Sequence, residues 1–139
     1  MTPSSERATT PANRARQALE RVCSGADPDG AAQYYSAGFV DRVNGMELRG
    51  LAGAARSVAL YRRMLPDLSI TVEGQVVEGD SVVSRFVVRG TSLGRRVELD
   101  GITISRFDGD LIVEDWSVTD TLGMFRQLGV VRSVLDRKS

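Results

Sequence analysis

Residues 110–120 read DLIVEDWSVTD, a run of apolar, β-branched and aromatic residues interrupted by acidic ones. This composition predicts a β-strand. The preceding pair Asp108-Gly109 is a two-residue turn signal, so the run should form a hairpin with residues 101–107. Side chains alternate along a strand and pair across the turn, which predicts one mixed polar and apolar face. That face comprises Ile112, Glu114, Trp116, Val118 and Asp120 together with Gly101, Thr103 and Ser105.

Two carboxylates thus share a predicted face with the only tryptophan, Trp116. A carboxylate beside a large apolar ring is partly desolvated, which raises its pKa and suits it to proton transfer near neutral pH. Such a face also suits a pocket between sheet and helices. The alternative is that Glu114 and Asp120 simply face water, as acidic residues in strands usually do.

The opposite face of the same hairpin is more apolar than an exposed sheet normally allows. It should carry Ile102, Ile104, Leu111 and Val113. We therefore expect a homodimer formed through this face.

The composition excludes several classes of function. Lys plus Arg equals Asp plus Glu at 18 each, so no net field would draw the chain to nucleic acid or to an acidic membrane surface. The chain has no histidine, which removes Ser-His-Asp and Cys-His nucleophiles and every histidine-based metal site. Cys23 is alone, and no apolar run is long enough for a membrane span. We expect a cytoplasmic protein without a bound metal.

The length of 139 residues fits one domain. Residues 1–10 are rich in Ser, Thr and Pro and predict a disordered lead-in, so the domain should cover residues 11–139. Apolar spacing predicts helices over residues 12–24, 28–35, 51–65 and 122–128 and a short extended segment over 39–43, and turn signals separate strands over 68–78, 81–92, 95–107 and 110–120. Helices followed by a meander predict an α+β fold whose helices cover one face of a curled antiparallel sheet. The charged residues after 128 are an open question.

Four further residues are interpreted from their place in the sequence. The predicted helix over 28–35 runs through Tyr34 and Tyr35, so the two cannot both face inward, and the buried one either packs with a satisfied hydroxyl or binds a ligand. Arg85 lies mid-strand, where a charge is unusual unless paired, so it either enters the pocket or lies in solvent on the outer face. Asp41 beside Arg42 is consistent with a surface pair.

The chain resembles the SnoaL-like polyketide cyclase family of the nuclear-transport-factor-two-like superfamily. The matching residues follow one order and spacing over roughly residues 30 to 129. They are Tyr35, Phe39-Val-Asp41, Val43-Asn44-Gly45, Arg49-Gly50, Leu65-Pro66-Asp67-Leu68, Val72-Glu73, Gly79-Asp80, Val82, Arg85, Gly90-Thr91, Arg106-Phe107-Asp108-Gly109, Ile112-Val113-Glu114, Trp116, Asp120 and Gln127-Leu128-Gly129.

This resemblance implies a cone-shaped α+β barrel, usually dimeric, with a deep hydrophobic pocket and no cofactor. It also implies that Asp120, the acidic residue following Trp116 on the last strand, is the general acid/base of an intramolecular aldol ring closure. Substrate contacts are expected from Trp116, Tyr35, Arg85, Glu114, Phe39, Met64 and Thr103. Many relatives carry histidine at the positions of Arg42 and Ser92, so the polar partner in the pocket differs here.

The leading hypothesis is a cofactor-independent cyclase acting on a hydrophobic polyketide or related natural product. Oxygen insertion by a SnoaL-like hydroxylase and opening of an epoxide are the alternative chemistries. The alternative to an enzyme is a non-catalytic module that binds a small molecule.

Overall fold

The computed structural model describes residues 10–129, which form helices packed on one six-stranded sheet. The first helix, α1 (Pro11–Gln17), continues into a π-helical segment (Ala18–Cys23), and a 3₁₀ turn (Pro28–Gly30) leads into the single-turn helix α2 (Ala31–Tyr34). Strands β1 (Tyr35–Val43) and β2 (Met46–Arg49) precede the long helix α3 (Gly50–Met64). The second half contains β3 (Ser69–Glu78), β4 (Ser81–Ser92), β5 (Arg95–Asp108), β6 (Leu111–Thr119) and the last helix α4 (Thr121–Gln127).

The predicted α+β class is confirmed, and its helices and long strands lie close to the predicted bounds. Thr10, which the sequence placed in a disordered lead-in, caps α1 by accepting a hydrogen bond from the Asn13 backbone. The rest of that lead-in and the residues after 129 lie outside the described part of the chain.

The sheet has the order β2-β1-β6-β5-β4-β3. All neighbouring strands are antiparallel except β1 and β6, which run parallel with Asp41 opposite Asp115. The prediction of a purely antiparallel sheet is therefore wrong at this pair. Turn signals predict pairing only between strands that follow each other in the sequence. Strands β1 and β6 come from opposite ends of the domain, so no turn signal predicts their pairing. Strands β2 and β3 are open edges, so the sheet curls around the helices without closing.

The turn Asn44-Gly45 connects β1 to β2. Both residues have positive φ, 50° and 84°, as the tight turn of a two-residue hairpin requires. The turn between β5 and β6 consists of Gly109 and Asp110, one residue later than predicted, because Asp108 pairs with Leu111.

A β-bulge in β6 exchanges the predicted inward-facing and outward-facing sides of part of the hairpin. Arg106 pairs with Glu114 but Phe107 pairs with Ile112, so Val113 is an extra residue without a partner on β5. An extra residue moves the following side chains to the opposite face. On β5 the predicted faces are correct, with Gly101, Thr103 and Ser105 buried under the helices and Ile102 and Ile104 outside. On β6 they are inverted from Glu114 onward, because Glu114, Trp116 and Val118 face out and Asp115 faces in.

Two hydrophobic clusters hold the helices to the sheet. One joins α1 and α2 to β1 through Ala15, Tyr35 and Phe39. The other joins β3, β4 and β5 to the turn after α3 through Leu65, which is fully buried, and Phe86. Residues from both clusters line a cavity, which therefore lies between them.

Candidate functional site

A small, partly enclosed cavity of about 60 Å³ lies between the inner face of the sheet and the helices. The π-helical segment, α3 and strands β1, β4, β5 and β6 each contribute to its wall. Most of the wall is apolar and aromatic, including Tyr35, Phe39, Tyr61 and Phe86. Into this wall the sheet places two carboxyl groups, Asp41 and Asp115.

The two carboxyls form part of a polar row across three adjacent strands. Ser105 on β5 lies opposite Asp115 on β6, and Asp115 lies opposite Asp41 on β1. Ser105 hydrogen-bonds to Asp115, and Ser57 on α3 hydrogen-bonds to Asp41. Both acids are buried, with 8% of Asp41 and 5% of Asp115 exposed. The row therefore holds two acids side by side, away from solvent.

One oxygen of this row has no hydrogen-bond partner among the described residues. It is Oδ1 of Asp115, a buried carboxyl atom in the wall of the cavity. A buried polar atom without a partner is costly, so such atoms are rare and often functional. The oxygen therefore retains an unused capacity to accept a hydrogen bond.

The surroundings give the two acids different pKa values. Burial raises the pKa of Asp115 to about 8; its hydrogen bond with Ser105 opposes this rise and the nearby charge of Asp41 adds to it. Burial also raises the pKa of Asp41, to about 6, against a hydrogen bond from Ser57. Asp115 therefore keeps its proton to a higher pH than Asp41 does. A pair whose environments push the pKa values apart can supply both a base and an acid.

A buried phenol and a half-buried thiol lie beside the acids. Tyr35 and Cys23 contact each other, with Oη and Sγ 3.3 Å apart. Burial raises the pKa of the Cys23 thiol to about 12 and that of Tyr35 well above its usual value. Both groups therefore stay neutral near pH 7, where Cys23 is a poor nucleophile and the Tyr35 hydroxyl can donate a hydrogen bond.

The cavity opens toward a much larger groove of about 710 Å³ on the outside. Four residues line both spaces, namely Val43, Ser57, Tyr61 and Thr119. The Tyr61 hydroxyl lies 2.8 Å from Oγ1 of Thr119, which also accepts a 2.8 Å hydrogen bond from the Asn44 side chain. This network fixes Tyr61 at the junction. A ligand larger than the enclosed cavity would place one end beside the carboxyls and the rest in the groove.

The structure brings together only some of the predicted site residues. Tyr35, Phe39 and Thr103 line the enclosed cavity, as expected of substrate-contacting residues. Met64 lines the outer groove. Asp120 lies in the same groove, where it is exposed and caps α4 by accepting a hydrogen bond from the Gly123 backbone. The catalytic role of Asp120 stays a prediction, with this residue outside the enclosed cavity.

The predicted pocket positions of Trp116, Glu114 and Arg85 are wrong. Trp116 and Glu114 lie on the outer face because of the Val113 bulge. Glu114 is held there by ion pairs with Arg42 and Arg106; although partial burial raises its pKa, these contacts outweigh burial and lower it. Arg85 is exposed on the outer face opposite Ile102 and meets neither Glu73 nor Glu114, because those acids pair with other arginines.

Sequence reasoning missed the buried acids and one buried tyrosine. Asp41 was interpreted as a surface residue, but alternation with Phe39 and Val43 places it inside. That alternation was the available signal. Tyr34 and Tyr35 are both buried because the chain changes from helix to strand between them. The Tyr34 hydroxyl donates to the Gln17 side chain, 3.1 Å away.

Among the residues described, no three acidic or cysteine side chains converge as metal ligands would. In the same range no helix has the length and apolar composition needed to cross a bilayer.

Comparison with known proteins gives one family and several similar structures. The family model for SnoaL-like polyketide cyclase matches residues 13–128. The structure of IdmH, a candidate polyketide cyclase from Streptomyces antibioticus, is 25% identical with a TM-score of 0.77, covering 87% of this chain and 99% of IdmH. A loop-truncation variant of IdmH is 26% identical with a TM-score of 0.78, covering 86% and 100%.

AclR, a candidate hydroxylase from Streptomyces galilaeus, shares the fold. It is 24% identical with a TM-score of 0.72, and the match covers 90% of each chain. No curated protein sequence matches significantly.

Proposed function

Because the chain belongs to the SnoaL-like polyketide cyclase family, we propose that it closes a ring within a hydrophobic, polyketide-type substrate without a cofactor. The observation that carries the proposal is the pair of facing carboxyls, Asp41 and Asp115, with one Asp115 oxygen unpartnered in the cavity wall. The reacting end of the substrate would enter the cavity, and its remaining apolar part would lie in the groove.

The pair suits an intramolecular aldol reaction. Ionised Asp41 takes a proton from a carbon between two carbonyl groups. The electron pair released forms a bond to the carbon of another carbonyl group elsewhere in the same molecule. The oxygen of that carbonyl receives the π electrons and takes the proton of Asp115. A proton passing between the facing carboxyls restores the starting state. Each carboxyl thus acts once, as base and as acid.

Oxygen dependence tests the reaction class. The protein is incubated with an aromatic polyketide that carries an enolisable carbon and an aldehyde within reach, under strict anaerobiosis and under ¹⁸O₂. We expect the same ring-closed product at the same rate in both, without ¹⁸O. Product containing ¹⁸O would establish the hydroxylase alternative. A polyketide that binds and returns unchanged would establish a binding module.

The outer face supports a proposal about assembly. It exposes Met46, Ile102, Ile104, Trp116 and Val118, and the pairing of Ile104 with Trp116 and of Ile102 with Val118 makes a continuous patch. Leu111 and Val113, predicted to belong to it, are half-buried and replaced by Trp116 and Val118. Burying such side chains is worth roughly 1.5 to 3 kcal/mol apiece. We propose that two copies associate through this patch.

A charge in this patch should prevent association. In a twofold-symmetric interface each substitution is introduced twice, so Ile104→Asp is expected to give monomer. Leu93→Asp is the matched control, because Leu93 is exposed at the turn after β4, outside the patch, and should leave the dimer intact. Sedimentation at micromolar concentration separates the outcomes. A monomeric parent protein, or a dimeric Ile104→Asp variant, would rule out this interface.

A further inference from the structure

The charge of the enclosed cavity is unbalanced. Asp41 and Asp115 line it, and no lysine or arginine does so among the described residues. The nearest arginine in sequence, Arg42, points to the other face of β1, where it pairs with Glu114 and Glu47 and lies over the ring of Trp116. The carboxyls of the cavity therefore have no positively charged partner within residues 10–129.

A buried charge without a counter-charge is expensive, more so than the loss of a single hydrogen bond. In addition, Oδ1 of Asp115 has no hydrogen-bond partner, and a ligand that donates a hydrogen bond would remove the cost of leaving this buried atom unpaired. The rings of Tyr35, Phe39, Tyr61 and Phe86 line the same space, and aromatic faces attract cations. All three features favour a positively charged ligand that can donate a hydrogen bond.

We propose that the enclosed cavity accommodates a protonated amine, so that the substrate carries a basic nitrogen next to its reacting carbon. The ammonium group would pair with the ionised carboxyl, donate to the free Asp115 oxygen and rest against the aromatic rings. It would also offset the negative charge that develops on an enolised substrate in a cavity whose described lining includes no cation. The inference deepens the proposed function and rests on it for the identity of the ligand as substrate.

Three probes of similar shape and different charge test the inference without turnover. Benzylamine, benzyl alcohol and benzoate are titrated into the full-length protein at pH 7 by calorimetry, with backbone amide shifts to locate the site. We expect benzylamine to bind at least about tenfold more tightly than benzyl alcohol, which is 1.4 kcal/mol. Benzoate should show no saturable binding. Shifts should concentrate at Ser117, Thr119 and Tyr61, which line the cavity.

Variants assign the preference to the carboxyls. Asp41→Asn and Asp115→Asn should each reduce the ratio of benzylamine to benzyl alcohol affinity to near one. Asp108→Asn removes the same charge from an exposed position outside the cavity and should leave the ratio unchanged. Equal binding of amine and alcohol by the parent protein, binding of benzoate, or amine-induced shifts outside the cavity would overturn the inference. The parent titration decides this even where a variant fails to fold.

The outcome is separable from that of the proposed function. If benzylamine binds as expected but no ring closure occurs, the proposed reaction fails and the amine site stands. If the protein closes substrates without a basic nitrogen as fast as their amine-bearing analogues, the amine inference fails and the ring-closing function stands.

Discussion

Asp41→Asn and Asp115→Asn are each expected to lower the rate of ring closure by about 10²- to 10⁴-fold, the usual contribution of general acid-base catalysis. The amide keeps the shape of the side chain and removes its ability to carry a proton to or from the substrate. Circular dichroism should show folded protein in both cases. Asp108→Asn, which removes an exposed carboxylate outside the cavity, serves as the matched control.

The parent protein should show a bell-shaped dependence of kcat on pH. The base is available once Asp41 ionises near pH 6, and the acid is lost as Asp115 ionises near pH 8. Because the two groups interact, these values belong to the pair. Asp41→Asn should remove the acidic limb and Asp115→Asn the basic limb of any residual activity.

Asp120→Asn decides between two locations for the chemistry. If the enclosed pair acts, this variant should keep both the helix cap, because asparagine caps a helix about as well as aspartate does, and the rate within a few fold. A loss of 10²-fold or more at Asp120, with Asp41→Asn and Asp115→Asn unaffected, would place the acid/base in the outer groove, as the family resemblance predicts.

The parent protein is also expected to be less stable at pH 8 than at pH 5, and Asp115→Asn should remove most of this loss. The folded state holds a proton on Asp115 up to about pH 8, whereas the unfolded chain releases it near the ordinary value of 3.8. Below about pH 4 this stabilisation is fully present, and it is lost as the pH rises through the folded value. Asp41 acts in the same direction up to about pH 6.

The size of the effect follows from the shift. One pKa unit corresponds to about 1.4 kcal/mol, so the loss between pH 5 and pH 8 should be on the order of 2 to 4 kcal/mol. Chemical unfolding at three pH values measures it. An Asp115→Asn variant with the same slope as the parent protein, or a parent protein equally stable at both ends, would show that Asp115 is not protonated in the folded state.

Much of the fold could be predicted from local patterns. The alternation of β5 is regular over residues 96–108, and its inner and outer faces follow directly from the sequence. The tight turns were readable from Asn44-Gly45 and Leu93-Gly94, and the helices from their apolar spacing.

The site itself depended on two features that local patterns do not contain. Ile112 and Asp115 are both buried although their spacing puts them on opposite faces of a regular strand, and only the bulge at Val113 reconciles them. No turn or composition signal marks that bulge. The second feature is the register between β1 and β6, which brings Asp41 to Asp115 and involves no hairpin. The sequence therefore led to the correct hairpin and the wrong face of its second strand.

The parallel pairing of β1 with β6 also determines when the site can exist during folding. The two strands flank nearly the whole domain, so their contact closes a very long loop, and contacts of this kind form slowly and late. Until they meet, the two carboxyls are separate, solvated groups with ordinary acidity. The raised pKa values of the pair are thus a marker of completed folding. A chain that has formed only its β3–β5 meander has a sheet, but its two acids do not yet lie side by side.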